Sequence, residues 1–114
     1  MSNAKDKGIP LEKVIVNDII KGLKKDGVLF IFKSHGGVFQ AAGLPDIILI
    51  APRVGRFVGL EVKRPMLGVV SALQKSIINL INRAGGYACV VRSLEEAQEA
   101  LRLADAGEKA LLLE

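Results

Sequence analysis

Two acidic residues and a lysine supply the functional groups that could do chemistry in this sequence. Asp46 ends the run Gly-Leu-Pro-Asp that begins at Gly43, and Glu61 and Lys63 follow as Glu-Val-Lys. Taken singly, both motifs have ordinary explanations, because Pro-Asp is common at turns and an isolated Glu-x-Lys usually lies on a solvated strand face. Two carboxylates and an ammonium group brought together could instead hold a hard divalent cation and stabilise charge on a phosphate.

The strands that carry these residues are predicted to pair as an antiparallel hairpin. Apolar strand patterns cover Asp46 to Ala51 and Arg56 to Lys63, and a short turn, Pro52 to Gly55, joins them. The hairpin brings Asp46 toward Glu61, and two such carboxylates would not both stay ionised without a cation between them, which favours Mg²⁺ or Mn²⁺. Alternation along the second strand gives two faces, Val58, Leu60 and Val62 on one and Phe57, Gly59, Glu61 and Lys63 on the other.

Two polar residues lie on the apolar faces of predicted helices. Glu12 belongs to a helix over Leu11 to Lys25, and Gln74 to a helix over Ser71 to Ala84. The apolar residues three, four and seven positions further on are Ile15, Val16 and Ile19 for Glu12, and Ile77, Ile78 and Ile81 for Gln74. Either residue could serve a site, but Glu12 could equally favour the helix dipole, and Gln74 could be a core amide bonded to backbone.

The remaining patterns complete an α/β domain. A strand is expected over Val28 to Lys33, followed by a loop to about Leu44, and a last strand over Tyr87 to Arg92. Ser93 is predicted to begin a third helix as a capping box with Glu96, and this helix ends near Gly107. The element order is α-β-β-β-α-β-α, in a single domain of residues 1–114 whose first eight residues we expect to be flexible.

Composition favours an anionic partner and excludes several classes of site. The net charge is +4 and the isoelectric point about 9.4, which suits nucleic acid, while scarce aromatic residues argue against base stacking as the main contact. Cys89 is the only cysteine and His35 the only histidine, so disulfides and thiolate metal sites within one chain are excluded and a zinc site is not expected. We find no phosphate-binding Gly-rich motif for a nucleotide, no apolar run of membrane-spanning length and no secretory signal.

Several polar residues near the acidic pair are candidate DNA contacts. The loop from Lys33 to Gly43 could follow a phosphate backbone, although it could also be a plain connection. Arg64 and Lys75, which follow later in the chain, are candidate phosphate ligands but could equally be solvated surface residues. The candidates are Lys33, Ser34, His35, Arg64 and Lys75.

The set formed by Glu12, Gly43 to Asp46, Glu61 to Lys63 and Gln74 resembles the VRR-NUC nucleases, a branch of the PD-(D/E)XK superfamily. The resemblance runs from the first helix through Val91 and implies a restriction-endonuclease-like mixed sheet flanked by helices. It implies that Asp46, Glu61 and the Val62 main-chain carbonyl hold Mg²⁺ or Mn²⁺, and that Glu12 supports a metal-bound water. Lys63 would orient or activate the attacking water, and Gln74 would assist in the same pocket.

The resemblance also implies a substrate and an assembly. Small stand-alone members, from phages or bacteria, resemble Holliday-junction resolvases that act as homodimers on branched DNA. Cutting two strands of a four-way junction needs two sites, which a twofold dimer supplies. We therefore expect a cytoplasmic Mg²⁺- or Mn²⁺-dependent endodeoxyribonuclease in a bacterial cell or phage-infected host, without membrane attachment or nucleotide cofactor. A flap or nicking nuclease, a sequence-specific restriction enzyme and a non-catalytic DNA-binding module remain alternatives.

Overall fold

A computed structural model describes residues 8–34 and 42–114, and its elements follow the predicted order. In chain order they are α1 (Glu12–Lys25), β1 (Ile31–Lys33), β2 (Ile47–Ile50), β3 (Phe57–Val62), α2 (Ala72–Arg83), β4 (Tyr87–Val91) and α3 (Leu94–Asp105). The α/β class and the α-β-β-β-α-β-α order are confirmed. Within the described residues, no helix combines the length and the apolar content needed to cross a bilayer.

The four strands form one mixed sheet in the order β1-β2-β3-β4. β2 pairs antiparallel with both β1 and β3, which confirms the predicted hairpin, and β4 pairs parallel with β3 after the crossover through α2. Val58, Leu60 and Val62 face the main core, where they pack with residues of α1 and α3. The opposite face meets α2, since a Cβ built on Gly59 would lie 3.6 Å from Ile81. The central strand β3 is thus covered on both faces.

The first strand is shorter than the sequence predicted. Gly27 has a φ of +105° and ends α1, and the Val28 amide donates back to the Leu23 carbonyl at 3.0 Å. Val28 is therefore buried as part of the helix ending, and sheet pairing begins only where the Phe30 carbonyl accepts from the Ile50 amide. Within the β-branched and aromatic run at 28–33, the first residue takes part in the end of α1 and the last three form the edge strand β1.

The predicted capping box of α3 forms in an altered way. The Ser93 hydroxyl accepts from the Glu96 amide at 3.1 Å, as expected for an N-cap. The Glu96 carboxylate, however, accepts from the Arg92 amide at 2.9 Å, one residue earlier than the cap. The helix start is as predicted, and the second half of the box is displaced by one residue.

Arg56 joins the start of β3 to three distant segments of the chain. Its guanidinium donates to the carbonyls of Gly85, Gly86, Ala104 and Glu108, and it stacks 5.3 Å from the ring centre of Tyr87. Charge-assisted bonds of this kind stabilise more than neutral ones.

We expect Arg56→Ala to lower the free energy of unfolding by about 2–4 kcal/mol, because several carbonyls lose a charged donor together. Arg102→Ala is the matched control, since Arg102 pairs with Glu99 only on the exposed surface of α3. Urea denaturation should show a lower midpoint for the first variant and an unchanged midpoint for the second. Equal midpoints for the two variants would show that the Arg56 contacts contribute nothing.

Candidate metal and catalytic site

Asp46 and Glu61 converge where the β2–β3 ladder ends. The last paired residues are Ile47 and Leu60, and Asp46 lies one position beyond them. There its Oδ2 accepts from the Val62 amide at 2.7 Å, so a side chain takes the place of the next backbone partner. Asp46 is 4% exposed and Glu61 is 1% exposed. The predicted convergence is found, and the solvated-face explanation of Glu-x-Lys is wrong for Glu61.

Contacts from both neighbouring strands fix the position of the Pro45–Asp46 dipeptide. Beyond the end of β1, the Ser34 amide donates to the Asp46 carbonyl at 2.8 Å, and the Ser34 hydroxyl donates to the Pro45 carbonyl. On the other side the proline ring lies over Gly59, where an added Cβ would be 2.8 Å from Pro45 Cγ. Because the ring is rigid, only glycine at position 59 lets Pro45 sit this close to β3.

Gly43, the first residue of the Gly-Leu-Pro-Asp motif, meets α2. Its φ is +84°, and a Cβ at this position would lie 2.7 Å from Leu73 Cγ. Both the backbone conformation and the close approach require glycine. The start of the motif is therefore closely packed against α2, and this packing helps to position Asp46.

Glu61 is a buried carboxylate with one satisfied and one unsatisfied oxygen. Oε2 accepts from Gln74 Nε2 at 3.2 Å and lies 4.0 Å from Lys63 Nζ. Oε1 is buried, and within the described residues it has no hydrogen-bond partner. The pKa of Glu61 is raised from 4.5 to about 9, first by burial, then by the hydrogen bond and charge of the Asp46 side chain and, more weakly, by the charge of Glu12, whereas the charge of Lys63 lowers it. The arrangement favours a proton or a cation at this position.

Gln74 combines the two roles that the sequence left open. Its side-chain Oε1 accepts from the Ser71 main-chain amide at 2.9 Å. Its main-chain amide donates to Ser71 Oγ at 3.1 Å, which completes a capping box at the start of α2. Because the cap uses Oε1, the side-chain nitrogen Nε2 is left to donate to Glu61. A glutamate at position 74 could cap the helix equally well, but it would present a third carboxylate where a donor is needed.

Lys63 is positioned by the loop that follows it. The loop backbone passes so close that a Cβ on Gly68 would lie 2.6 Å from Lys63 Cβ and 3.0 Å from its Cδ. Arg92, just after β4, donates to the carbonyls of Arg64 and Gly68 and so fixes this loop. The Lys63 side chain is 12% exposed, with its stem against the loop and its ammonium directed toward Glu61.

Glu12 lies at the edge of this group. It is the first residue of α1 and is half-buried, and its charge contributes to the raised pKa of Glu61. Over residues 8–34 and 42–114, no group of three or more His, Cys, Asp and Glu side chains forms a metal cluster. The metal-ligand roles of Asp46 and Glu61, and the role of Glu12 through water, therefore stay predictions.

The candidate DNA contacts differ in how their polar groups are engaged. Arg64 donates to the carbonyls of Ile9 and Pro10, both at 2.9 Å, so its guanidinium is occupied in tying the N-terminal segment to the site. The Ser34 hydroxyl is occupied by Pro45. Lys33 is exposed at the end of β1 and Lys75 is half-buried on α2. His35 lies outside the described residues.

Sequence reasoning missed the residues that support the site. Ser71 carried a usable signal, because a serine three positions before a glutamine is a helix-start signature. Gly59, Gly68 and Arg92 carried none, since their importance depends on contacts between segments far apart in the chain. A cleft of about 780 Å³ lies elsewhere, and its lining, which includes Arg56, contains none of the candidate catalytic residues.

Comparisons with protein-family models, with curated proteins and with solved structures each found no match for this chain.

Proposed function

We propose that this protein is a Mg²⁺- or Mn²⁺-dependent DNA endonuclease of the VRR-NUC type in the PD-(D/E)XK superfamily. The observation that carries the proposal is the Glu61 carboxylate, buried beside Asp46 with Oε1 lacking a partner among the described residues. A buried polar atom without a partner costs free energy, so its retention needs an explanation. A bound cation between two carboxylates supplies one.

The donor groups suit a hard divalent cation. Asp46 and Glu61 offer carboxylate oxygens, and the Val62 main-chain carbonyl is the third ligand that the family resemblance implies. Oxygen ligands of this kind select Mg²⁺ or Mn²⁺ over softer metals. When bound, such an ion neutralises phosphate charge and lowers the pKa of water. The raised pKa of Glu61, about 9, fits a site that exchanges a proton for a metal.

The surrounding side chains have complementary tasks in phosphodiester hydrolysis. The Lys63 ammonium, 4.0 Å from Glu61 Oε2, is placed to orient a nucleophilic water and to stabilise negative charge that develops on the phosphate. Gln74 holds Glu61 in one orientation through its amide nitrogen. Glu12, further out, would act on water rather than as a direct ligand.

The choice of DNA as substrate rests on charge and on the family resemblance. The net charge of +4 favours a polyanion, and exposed Lys33 offers a phosphate contact close to the Ser34–Asp46 connection. We further propose branched DNA as the preferred form and a homodimer as the active assembly, because two symmetric sites match the two strands cut at a four-way junction.

A cleavage assay on a labelled four-way junction, a nicked duplex, a flap and a continuous duplex tests this function. We expect the wild-type protein to cut the junction with Mg²⁺ or Mn²⁺ and not with EDTA. Asp46→Asn should lower the rate at least about 100-fold, because it removes a metal ligand. Asp18→Asn, on the exposed face of α1, is the matched control and should cut normally.

The possible outcomes separate the alternatives. Equal activity of wild type and Asp46→Asn would rule out the proposed site. Junction binding without cleavage, together with no Mn²⁺ binding, would favour the non-catalytic DNA-binding module. Faster cutting of the flap or the nicked duplex would keep the nuclease and replace the junction as its substrate.

A further inference from the structure

The loop between β3 and α2 presents Met66 to solvent in an unfavourable backbone conformation. Its φ is +65°, and within residues 8–34 and 42–114 it is the one non-glycine residue with a positive φ. Its side chain is 92% exposed, so it gains almost no packing within this chain in return. Strained residues of this kind cluster at functional sites, and stability gives no reason for a methionine here.

The strained residue is held at the tip of a fixed turn. The amides of Leu67 and Gly68 both turn back to the Arg64 carbonyl, at 3.4 and 3.2 Å. Arg92 donates to the carbonyls at both ends of this turn, and the Arg64 side chain anchors it to the N-terminal segment. Met66 is therefore an exposed apolar side chain at the tip of a turn that hydrogen bonds hold in place.

Chain geometry limits how far Met66 can lie from the proposed site. It follows Lys63 by three residues, so the two Cα atoms are at most about 11 Å apart. Successive bases of one DNA strand rise about 3.4 Å, so a phosphate beside Lys63 lies within roughly three base steps of Met66. Methionine is unbranched, flexible and polarisable, and apolar side chains including methionine insert between base steps of DNA.

We propose that Met66 inserts between bases where the DNA stack is already interrupted, at a branch point or a nick, and so sets the preference for such DNA over continuous duplex. This inference rests on the proposed nuclease function. In continuous duplex the insertion must first unstack a base step, whereas at a junction or nick that stacking is already lost. The same contact therefore favours interrupted DNA.

The test compares the ratio of junction to continuous-duplex cleavage rates for Met66→Gly, Met66→Leu and wild type. We expect Met66→Gly to lower this ratio about tenfold, because the inserting side chain, whose entry into continuous duplex must force bases apart, is removed. Met66→Leu keeps an unbranched Cβ and an apolar side chain and should retain the wild-type ratio. Leu29→Gly, which removes a side chain that is 94% exposed just before β1, is the control and should also retain it.

Thermal unfolding and sedimentation of the same variants complete the test. Met66→Gly should unfold at the same or a higher temperature than wild type, because glycine relieves the positive φ; a fall in selectivity then has no folding explanation. An unchanged cleavage ratio in Met66→Gly overturns the proposal, and an altered oligomeric state with that unchanged ratio would assign Met66 to a contact between copies. Failure of wild type to cut any DNA would instead contradict the nuclease function itself.

Discussion

At pH 8 and without metal, the Glu61→Gln variant is expected to unfold at a higher temperature than wild type, although it removes a candidate catalytic residue. Glutamine matches glutamate in shape but carries no charge. Its carbonyl oxygen can accept from Gln74 and its amide can donate toward Asp46. The free energy of unfolding should rise by a few kcal/mol, because a buried carboxylate no longer has to be ionised or kept protonated.

The size of this gain should depend on pH in a defined direction. Burial beside Asp46 raises the pKa of Glu61 from 4.5 in its ordinary setting to about 9. Below pH 4.5 the group is protonated in the folded and unfolded chains alike, so the raised pKa costs nothing there. Between about pH 5 and pH 9 the unfolded chain ionises and the folded one does not, so wild-type stability falls as pH rises. The advantage of Glu61→Gln should accordingly be small at pH 5 and grow toward pH 9.

Mn²⁺ should reverse the order of the two proteins. Binding to wild type requires loss of the Glu61 proton, so affinity should rise about tenfold per pH unit below pH 9, with release of roughly one proton measurable by calorimetry in two buffers. Mn²⁺ should raise the unfolding temperature of wild type and leave that of Glu61→Gln unchanged. Glu95→Gln, on the exposed face of α3, is the control. Lower stability of Glu61→Gln than of wild type at pH 8 without metal would contradict the electrostatic account.

Lys63→Met is expected to lower the cleavage rate at saturating Mn²⁺ by about 100-fold or more, because in the proposed mechanism it removes the positive group that stabilises the charge developing on the phosphate. Methionine keeps an apolar stem against Gly68, so the loop should retain its conformation. Lys24→Met, in the exposed last turn of α1, is the matched control. A cleavage rate within a factor of about two of wild type would remove Lys63 from the mechanism.

Gly68→Ala separates the position of Lys63 from its charge. The added Cβ would lie 2.6 Å from Lys63 Cβ, an atom close to the backbone that cannot easily move away. The ammonium is retained but displaced, and a displacement of about 1 Å commonly costs up to 100-fold in rate, so we expect a loss of roughly tenfold. Single-turnover kinetics with Mn²⁺ bound should place the loss in the chemical step, with DNA affinity unchanged.

The sequence was sufficient to predict the order of elements because helices and strands here carry clear apolar periodicities. The hairpin that joins Asp46 to Glu61 followed from a short turn between two apolar strands, and the structure has that hairpin. The start of β1 was wrong because strand propensity at Val28 competes with the helix ending, where its amide donates to Leu23. Local composition does not decide between these two uses.

The site was predictable in its chemistry and much less so in its support. The carboxylates and the lysine could be identified as candidates from their residue types within a short motif. Gln74 could be identified because it is a polar residue on an apolar helix face. Gly59 and Gly68 matter because of what packs against them, Pro45 in one case and Lys63 in the other. Arg64 shows the converse: a basic residue beside the motif proves to be occupied by backbone carbonyls of Ile9 and Pro10.

The double use of Gln74 links the order of folding to the burial of the acidic pair. β2 and β3 are neighbours in the chain, so their hairpin can form early with both carboxylates still hydrated. We expect Glu61 to lose its water only when α2 docks, because Gln74, which caps the first turn of α2, is also the residue that donates to the carboxylate. The desolvation cost would then fall on a late step of folding, and we expect a divalent cation to accelerate that step rather than the initial collapse.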